Sequence, residues 1–171
     1  MRWLHAFLQR TVVDRREPDF VVGSAEAVPY LRRWWLLPHN KVFNIYLHNF
    51  CRSDDDRALH DHPWFNLSIL LDGSYTEHTI AYGGINIETR RTAGTLSGFK
   101  LRSPWAAHRV ELDRNMDKFV ERHFKFDMPV EKAVWTIFIT GPYLRRWGFH
   151  CRRGWVWSKD FDKEGGCGDL S

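Results

Sequence analysis

Hydrophobic and polar residues alternate along most of this chain with the period of a β-strand, and only its first residues break that rhythm. Trp3, Leu4, Phe7 and Leu8 recur at helical spacing and predict a short N-terminal helix lying on the body. Residues 19–22 read as a short strand, and Tyr30 to Leu37 as an aromatic and aliphatic run closed by Pro38. Between Lys41 and Cys51, Phe43, Ile45 and Leu47 fall on one face and Asn44, Tyr46 and His48 on the other. A polar loop over 53–57 precedes a strand expected from about His62 to Leu71. Asp72-Gly73 signals a two-residue hairpin turn, with Ser74 to Tyr82 as the return strand. Further strands are expected over 85–92, 95–99, 104–112 and 133–140, punctuated by Gly83-Gly84, Ala93-Gly94 and Gly141-Pro142. Residues 113–132 are charged and read as an arm or extended hairpin between core strands. Many short strands with Gly and Pro turns argue for an all-β barrel or jelly roll.

The expected organisation is an N-terminal helix and extension over 1–29, a β-barrel over 30–161, and a disordered tail over 162–171. The aromatic segment carrying Trp147, Phe149, Trp155 and Trp157 is expected to pack as a lid over one barrel end. With nine tryptophans and twelve phenylalanines in 171 residues, core material is plentiful for one domain. A net charge of +4 favours small anionic ligands but falls short of the basic stripe of a dedicated nucleic-acid binder. No segment has the length of a membrane span. The three scattered cysteines do not read as a disulfide framework, so Cys51 and Cys151 are expected as packed thiols in a reducing cytoplasm. Exposed strand edges and apolar outer faces make a homodimer the expected assembly.

The chemistry concentrates in His60-Asp61-His62-Pro63-Trp64-Phe65-Asn66. On a strand, His60 and His62 share a face and can aim both imidazoles at one point, as a metal ion requires. With Asp72-Gly73 as a hairpin, Ser68 would face Glu77 and Asn66 would face Thr79, so Tyr75 and Glu77 join the same polar face. A third histidine, His108, follows the small residues Ala106 and Ala107. Three histidines on facing strands suit a divalent ion: Fe(II), Zn(II), Mn(II), Ni(II) or Cu(II). Tyr46 and His48 share a face that can turn inward, His48 reading first as a hydrogen-bonded core residue. Arg102, near the strand of His108, is placed to hold a carboxylate or phosphate at the pocket mouth. The paired arginines 90–91 and 145–146 read as solubilising charges.

The run His60-x-His62, three residues, Asn66, six residues, Gly73 resembles the first signature of the cupin superfamily. Gly94 through Pro104 to His108 is a looser likeness of the second, one residue short and without the usual glycine between proline and histidine. The likeness covers roughly His60 to Leu112. It implies a double-stranded β-helix, here with a short N-terminal helix and an aromatic C-terminal segment. It also implies a mononuclear metal held by His60, His62 and His108, with Fe(II) as the leading choice. Where cupins usually supply a carboxylate, this chain has Asn66. The site is then three-histidine, or takes Glu77 as a fourth ligand or acid/base group, or has lost its metal and only binds. The functions the likeness admits are a non-haem Fe(II) dioxygenase acting on a small anionic substrate, a non-redox isomerase, lyase or hydrolase, and a sugar- or nucleotide-binding protein. In the first, Tyr75 or Tyr46 would hydrogen-bond an oxygen ligand, and Asn66, Tyr46, His48 and Arg102 would contact substrate.

Overall fold

The computed structural model describes residues 1–23, 28–54, 58–81, 84–121, 124–152, 154–161 and 167, with the backbone alone over 115–129. Helix α1 (Arg2–Thr11) and one 3-10 turn lead into strands β1 (Phe20–Val22), β2 (Leu31–Trp35) and β3 (Asn44–Phe50). Then come β4 (Leu59–His60), β5 (Asn66–Asp72), β6 (Ser74–Ile80), β7 (Asn86–Thr92), β8 (Phe99–Arg102) and β9 (His108–Leu112). The chain finishes with β10 (Arg114–Glu121), β11 (Phe124–Glu131), β12 (Val134–Thr140), β13 (Gly148–Cys151) and β14 (Gly154–Trp157).

Two six-stranded antiparallel sheets face each other, in the orders β1-β2-β3-β12-β5-β8 and β14-β13-β4-β9-β6-β7. Their inner quartets, β3-β12-β5-β8 and β4-β9-β6-β7, exchange the chain at almost every step. That winding is a jelly roll, and the chain folds as a double-stranded β-helix. The expected 113–132 excursion is the antiparallel ribbon β10–β11, inserted between β9 and β12.

Alternation sorts each strand into a lumen face and an outer face. Leu70, Tyr75, Val110, Leu112 and Val134 close one end of the lumen with a hydrophobic cluster. Outside the first sheet, Leu8 of α1 packs on Trp34, Leu47 and Leu71, with Met1 and Leu4 beside it. The helix forms as expected, but its apolar stripe is narrower. Leu4 and Leu8 lie on the packed side, while Trp3 and Phe7 are displaced around the axis and stay 75% and 56% exposed.

Several expectations are corrected. Asp72-Gly73 does not close a hairpin: β5 pairs with β12 and β8, whereas β6 pairs with β7 and β9. Gly73, at φ +85°, turns the chain from one sheet into the other, and a Cβ there would lie 2.8 Å from Val134 Cγ1. Asn66 therefore faces Arg102, not Thr79, and Glu77 faces Val110, not Ser68. The strand expected from His62 starts at Asn66; His60 ends β4, and His62 lies in the connection between them. Over 95–99 a 3-10 turn (Leu96–Gly98) precedes β8, and the strand expected from Pro104 begins at His108. Cys151 is no thiol but forms a disulfide with Cys167, Cα to Cα 5.3 Å, so the cysteine pattern ceases to argue for a reducing compartment. Cys51 keeps its thiol, 3.1 Å from Asn49 Oδ1. The tail expected to be disordered lies, Cys167 excepted, outside the described residues. Among the described residues no helix is long and apolar enough to cross a membrane.

Candidate metal centre

Three imidazoles meet where β4, the β4–β5 connection and β9 come together. His60 and His108 are direct partners across the β4–β9 ladder, which sets their rings 4.9 Å apart. His62 reaches them from the loop, 5.3 Å from the His60 ring and 5.1 Å from that of His108. One nitrogen from each residue falls within 4.8 Å of the others. His62 Nε2 and His108 Nε2 are 2.8 Å apart. Metal–nitrogen bonds of about 2.1 Å at right angles need nitrogens about 3.0 Å apart, a spacing that the His62–His108 pair meets within a few tenths of an ångström.

Carboxylates stand behind two of the rings. Asp54 Oδ2 lies 3.9 Å from His60 Nδ1, and Glu77 Oε1 lies 3.3 Å from His108 Nδ1, a polar contact off the line of a good hydrogen bond. Asp54 is itself held by the Tyr30 hydroxyl and by the Val110 amide at 2.6 Å. Such outer partners favour the tautomer that leaves Nε2 free for a metal. Burial, reinforced by the neighbouring imidazoles and Arg102, holds His62 well below the usual histidine range. Burial and Arg102 likewise push His108 down to about 4. Both rings are neutral at pH 7, the form that ligates.

Glu77 is fully buried and lies outside the ligand cluster found among the described residues. Arg102 donates to its Oε1 through Nε, at 2.8 Å, and through Nη2. Arg91 approaches its Oε2 through Nε, at 2.7 Å, and Nη2, at 2.5 Å. Burial alone would raise this carboxyl, but His108 and Arg102 hold it far below the usual carboxylate range. Its lone pairs are engaged by two guanidinium groups, it is not a member of the histidine cluster, and it stays ionised near neutral pH. Tyr75 belongs to the closed hydrophobic end of the lumen; burial raises its hydroxyl, which interacts with Arg102.

The residues expected to touch substrate divide. Asn66 and Arg102 are adjacent, with Arg102 Nη1 3.5 Å from Asn66 Oδ1, while Asn66 Nδ2 has no hydrogen-bond partner among the described residues. Tyr46 and His48 do face the lumen, stacked 5.6 Å apart. They belong to a separate group, in which Arg33 Nε donates to His48 Nε2 at 2.8 Å. Phe138 stands between, 5.1 Å from His48 and 5.8 Å from His62. A cavity of about 440 Å³ opens beside His108, lined by Thr79, Lys100, Arg102, Trp105, Ala107 and His150 among others.

No family model matches the chain, and no curated protein matches its sequence. Solved structures do resemble it in fold. An uncharacterized conserved protein with a double-stranded β-helix domain from Klebsiella pneumoniae matches over 75% of this chain and 90% of its own, at 14% identity and a TM-score of 0.44. A candidate mannose-6-phosphate isomerase from Ralstonia eutropha matches over 72% and 92%, at 13% identity and 0.45. Oxalate decarboxylase of Bacillus subtilis matches over 77% of this chain but 28% of its own, at 12% identity and 0.44. These are likenesses of fold.

Some of the site was hidden from sequence. Asp61, between the two histidines, is 1% exposed and accepts from the Gly148 amide (2.8 Å), Arg145 Nη1 (2.8 Å), Trp155 Nε1 (2.9 Å) and His150 Nε2 (3.1 Å). It fastens the histidine loop to the β13–β14 hairpin, which extends the second sheet beside β4 and brings Trp147 and Phe149 against His60. Arg91 and Arg145 thus serve buried carboxylates, where their sequence context reads as surface charge. Lys100 was missed as well, although it shares parity with Arg102 on one strand.

Proposed function

We propose that this protein is a mononuclear metal-dependent enzyme acting on a small anionic substrate, with an Fe(II)-dependent dioxygenase reaction as its leading chemistry. The observation that carries the reading is the convergence of three histidine nitrogens within 4.8 Å at the rim of a polar lumen. Bound there by His60, His62 and His108, Fe(II) would offer open coordination positions to dioxygen and to substrate. The protein's own part is to hold those rings: Glu77 and Asp54 from behind, Asp61 through the hairpin it anchors. Glu77 stays ionised and Tyr75 stays protonated near neutral pH. Neither is poised to shuttle a proton, which favours activation at a metal over side-chain acid/base catalysis.

Protein purified without added metal, analysed for metal content and assayed for oxygen uptake with a panel of organic acids, tests this. Near-stoichiometric iron with uptake that is lost in His62→Ala is expected. Zinc or manganese without uptake would replace the dioxygenase with a non-redox lyase, isomerase or hydrolase. A second reading, metal-free binding of a small anion, draws support from the 2.8 Å separation of His62 Nε2 and His108 Nε2, a hydrogen-bond distance that satisfies both rings without an ion. Failure of Fe(II), Mn(II) and Zn(II) alike to bind the purified protein would select it.

A further inference from the structure

The cavity beside His108 has a charge that the proposed metal chemistry does not use. Its floor is β8, where Lys100 and Arg102 point inward while Phe99 and Leu101 point out, 46% and 71% exposed. No aspartate or glutamate is among the described residues lining it. The nearby acids are already committed. Asp61 accepts from four donors, including Arg145. Glu77 sets one negative charge against the two positive charges of Arg91 and Arg102, so that buried trio keeps a net positive charge.

Donors remain to be used. Arg102 spends Nε and Nη2 on Glu77 and also interacts with the Tyr75 hydroxyl, while its Nη1 makes a long 3.5 Å contact to Asn66. Nearby, Asn66 Nδ2, in a residue 1% exposed, has no partner among the described residues. Lys100 makes no ion pair with any described residue. A half-enclosed pocket lined by two cations and, among the described residues, no acid is the complement of an anion. Trp105, Ala106 and Ala107 add apolar wall beside His108, leaving room for a short carbon frame.

We infer that this cavity is an acid-group site: Lys100 and Arg102 Nη1 together hold the carboxylate or phosphate of a small organic acid whose remaining atoms lie against His108. Lys100 is the specificity-determining residue, because Arg102 is fixed by Glu77 and only the lysine is free to close on the ligand. The inference deepens the proposed function and rests on it for what happens at the other end of the ligand, but the anion site itself needs no metal.

Isothermal titration of the full chain with malonate, malonamide and inorganic phosphate tests it, with and without Zn(II). Malonate binds the metal-free protein, the uncharged diamide does not, and raising salt weakens binding. Lys100→Ala lowers malonate affinity tenfold or more, and Lys100→Arg restores most of it, while the zinc stoichiometry is the same in all three proteins. Preference for phosphate over malonate would name the acid group a phosphate. Equal malonate affinity in Lys100→Ala, equal binding of malonamide, or no binding of either anion would overturn the inference. Zinc binding that persists in any of those cases leaves the metal reading intact, whereas lysine-dependent malonate binding without zinc binding sinks the metal reading alone.

Discussion

Glu77→Gln separates a carboxylate that positions a ligand from one that merely neutralises arginines. Both jobs are visible: two guanidinium groups engage its oxygens, and His108 Nδ1 lies 3.3 Å away. Removing the charge leaves Arg91 and Arg102 buried without a counter-ion, a loss of about 3–5 kcal/mol by the usual cost of breaking a buried pair. Against a domain stability of about 5–15 kcal/mol the fold survives, with a lower melting temperature. The metal effect is separate. Loss of an outer-sphere carboxylate weakens a histidine-bound metal by about 10–100-fold. Competition titration with a chromophoric chelator and Co(II) absorption read that affinity and the geometry directly. Glu77→Asp, which keeps the charge but withdraws it from His108, should spare the melting temperature more than the affinity. If Glu77→Gln lowers the melting temperature and leaves the Co(II) affinity and spectrum as in the parent, the carboxylate is only a counter-ion and the positioning role is wrong.

Two further outcomes follow from the same geometry. A Cβ at Gly148 would lie 2.0 Å from the Val156 carbonyl oxygen and 2.8 Å from the Trp155 ring, so Gly148→Ala must push β14 away. A destabilisation of about 1–3 kcal/mol or more is expected, and an unchanged melting curve would mean that the hairpin is not held as described. Acid stability of the metal-free protein is set by buried neutral histidines. His48, lowered well below 6.5 by burial and Arg33, takes up its proton in the unfolded chain first. Its contribution is therefore complete above pH 6.5 and is lost as pH falls below it, at up to about 1.4 kcal/mol per pH unit. Urea unfolding between pH 7.5 and 5 should show that slope, and His48→Gln should flatten it; an identical slope in the variant would refute the assignment.

The architecture was legible because alternation is local. The inward face of β3, with Asn44, Tyr46 and His48, and that of β5, with Asn66 and Ser68, follow from parity alone. What parity does not tell is which strand lies alongside. A jelly roll pairs strands far apart in sequence, and Gly73 illustrates the difficulty: a positive φ marks a turn, but not whether the chain returns to its own sheet or crosses to the facing one. The histidines converged although His60 and His62 do not share a strand, since the β4–β9 ladder supplies the alignment that a continuous strand was expected to supply. Asp61 and Arg91 stayed hidden for a related reason. Each is an ordinary charged residue until its partner, 84 or more residues away for Asp61 and 14 away for Arg91, is brought to it by the fold.

The position of the acid explains how such a site differs from one with a carboxylate in the ligand set. At residue 66 a carboxylate would stand opposite Arg102 across the β5–β8 ladder and compete with Glu77 for the same guanidinium. Asparagine there offers Arg102 an oxygen without a charge, and the acid Glu77 sits instead on β6, behind His108. Three neutral imidazoles leave a divalent cation its full double charge, where a ligand carboxylate would halve it. The net positive charge of the Glu77–Arg91–Arg102 trio and Lys100, which makes no ion pair among the described residues, would act in the same direction. On the proposed reading, moving one carboxylate from the inner to the outer sphere would turn this end of the barrel toward anions, where a bound metal, the arginine and the lysine would draw on one another's field.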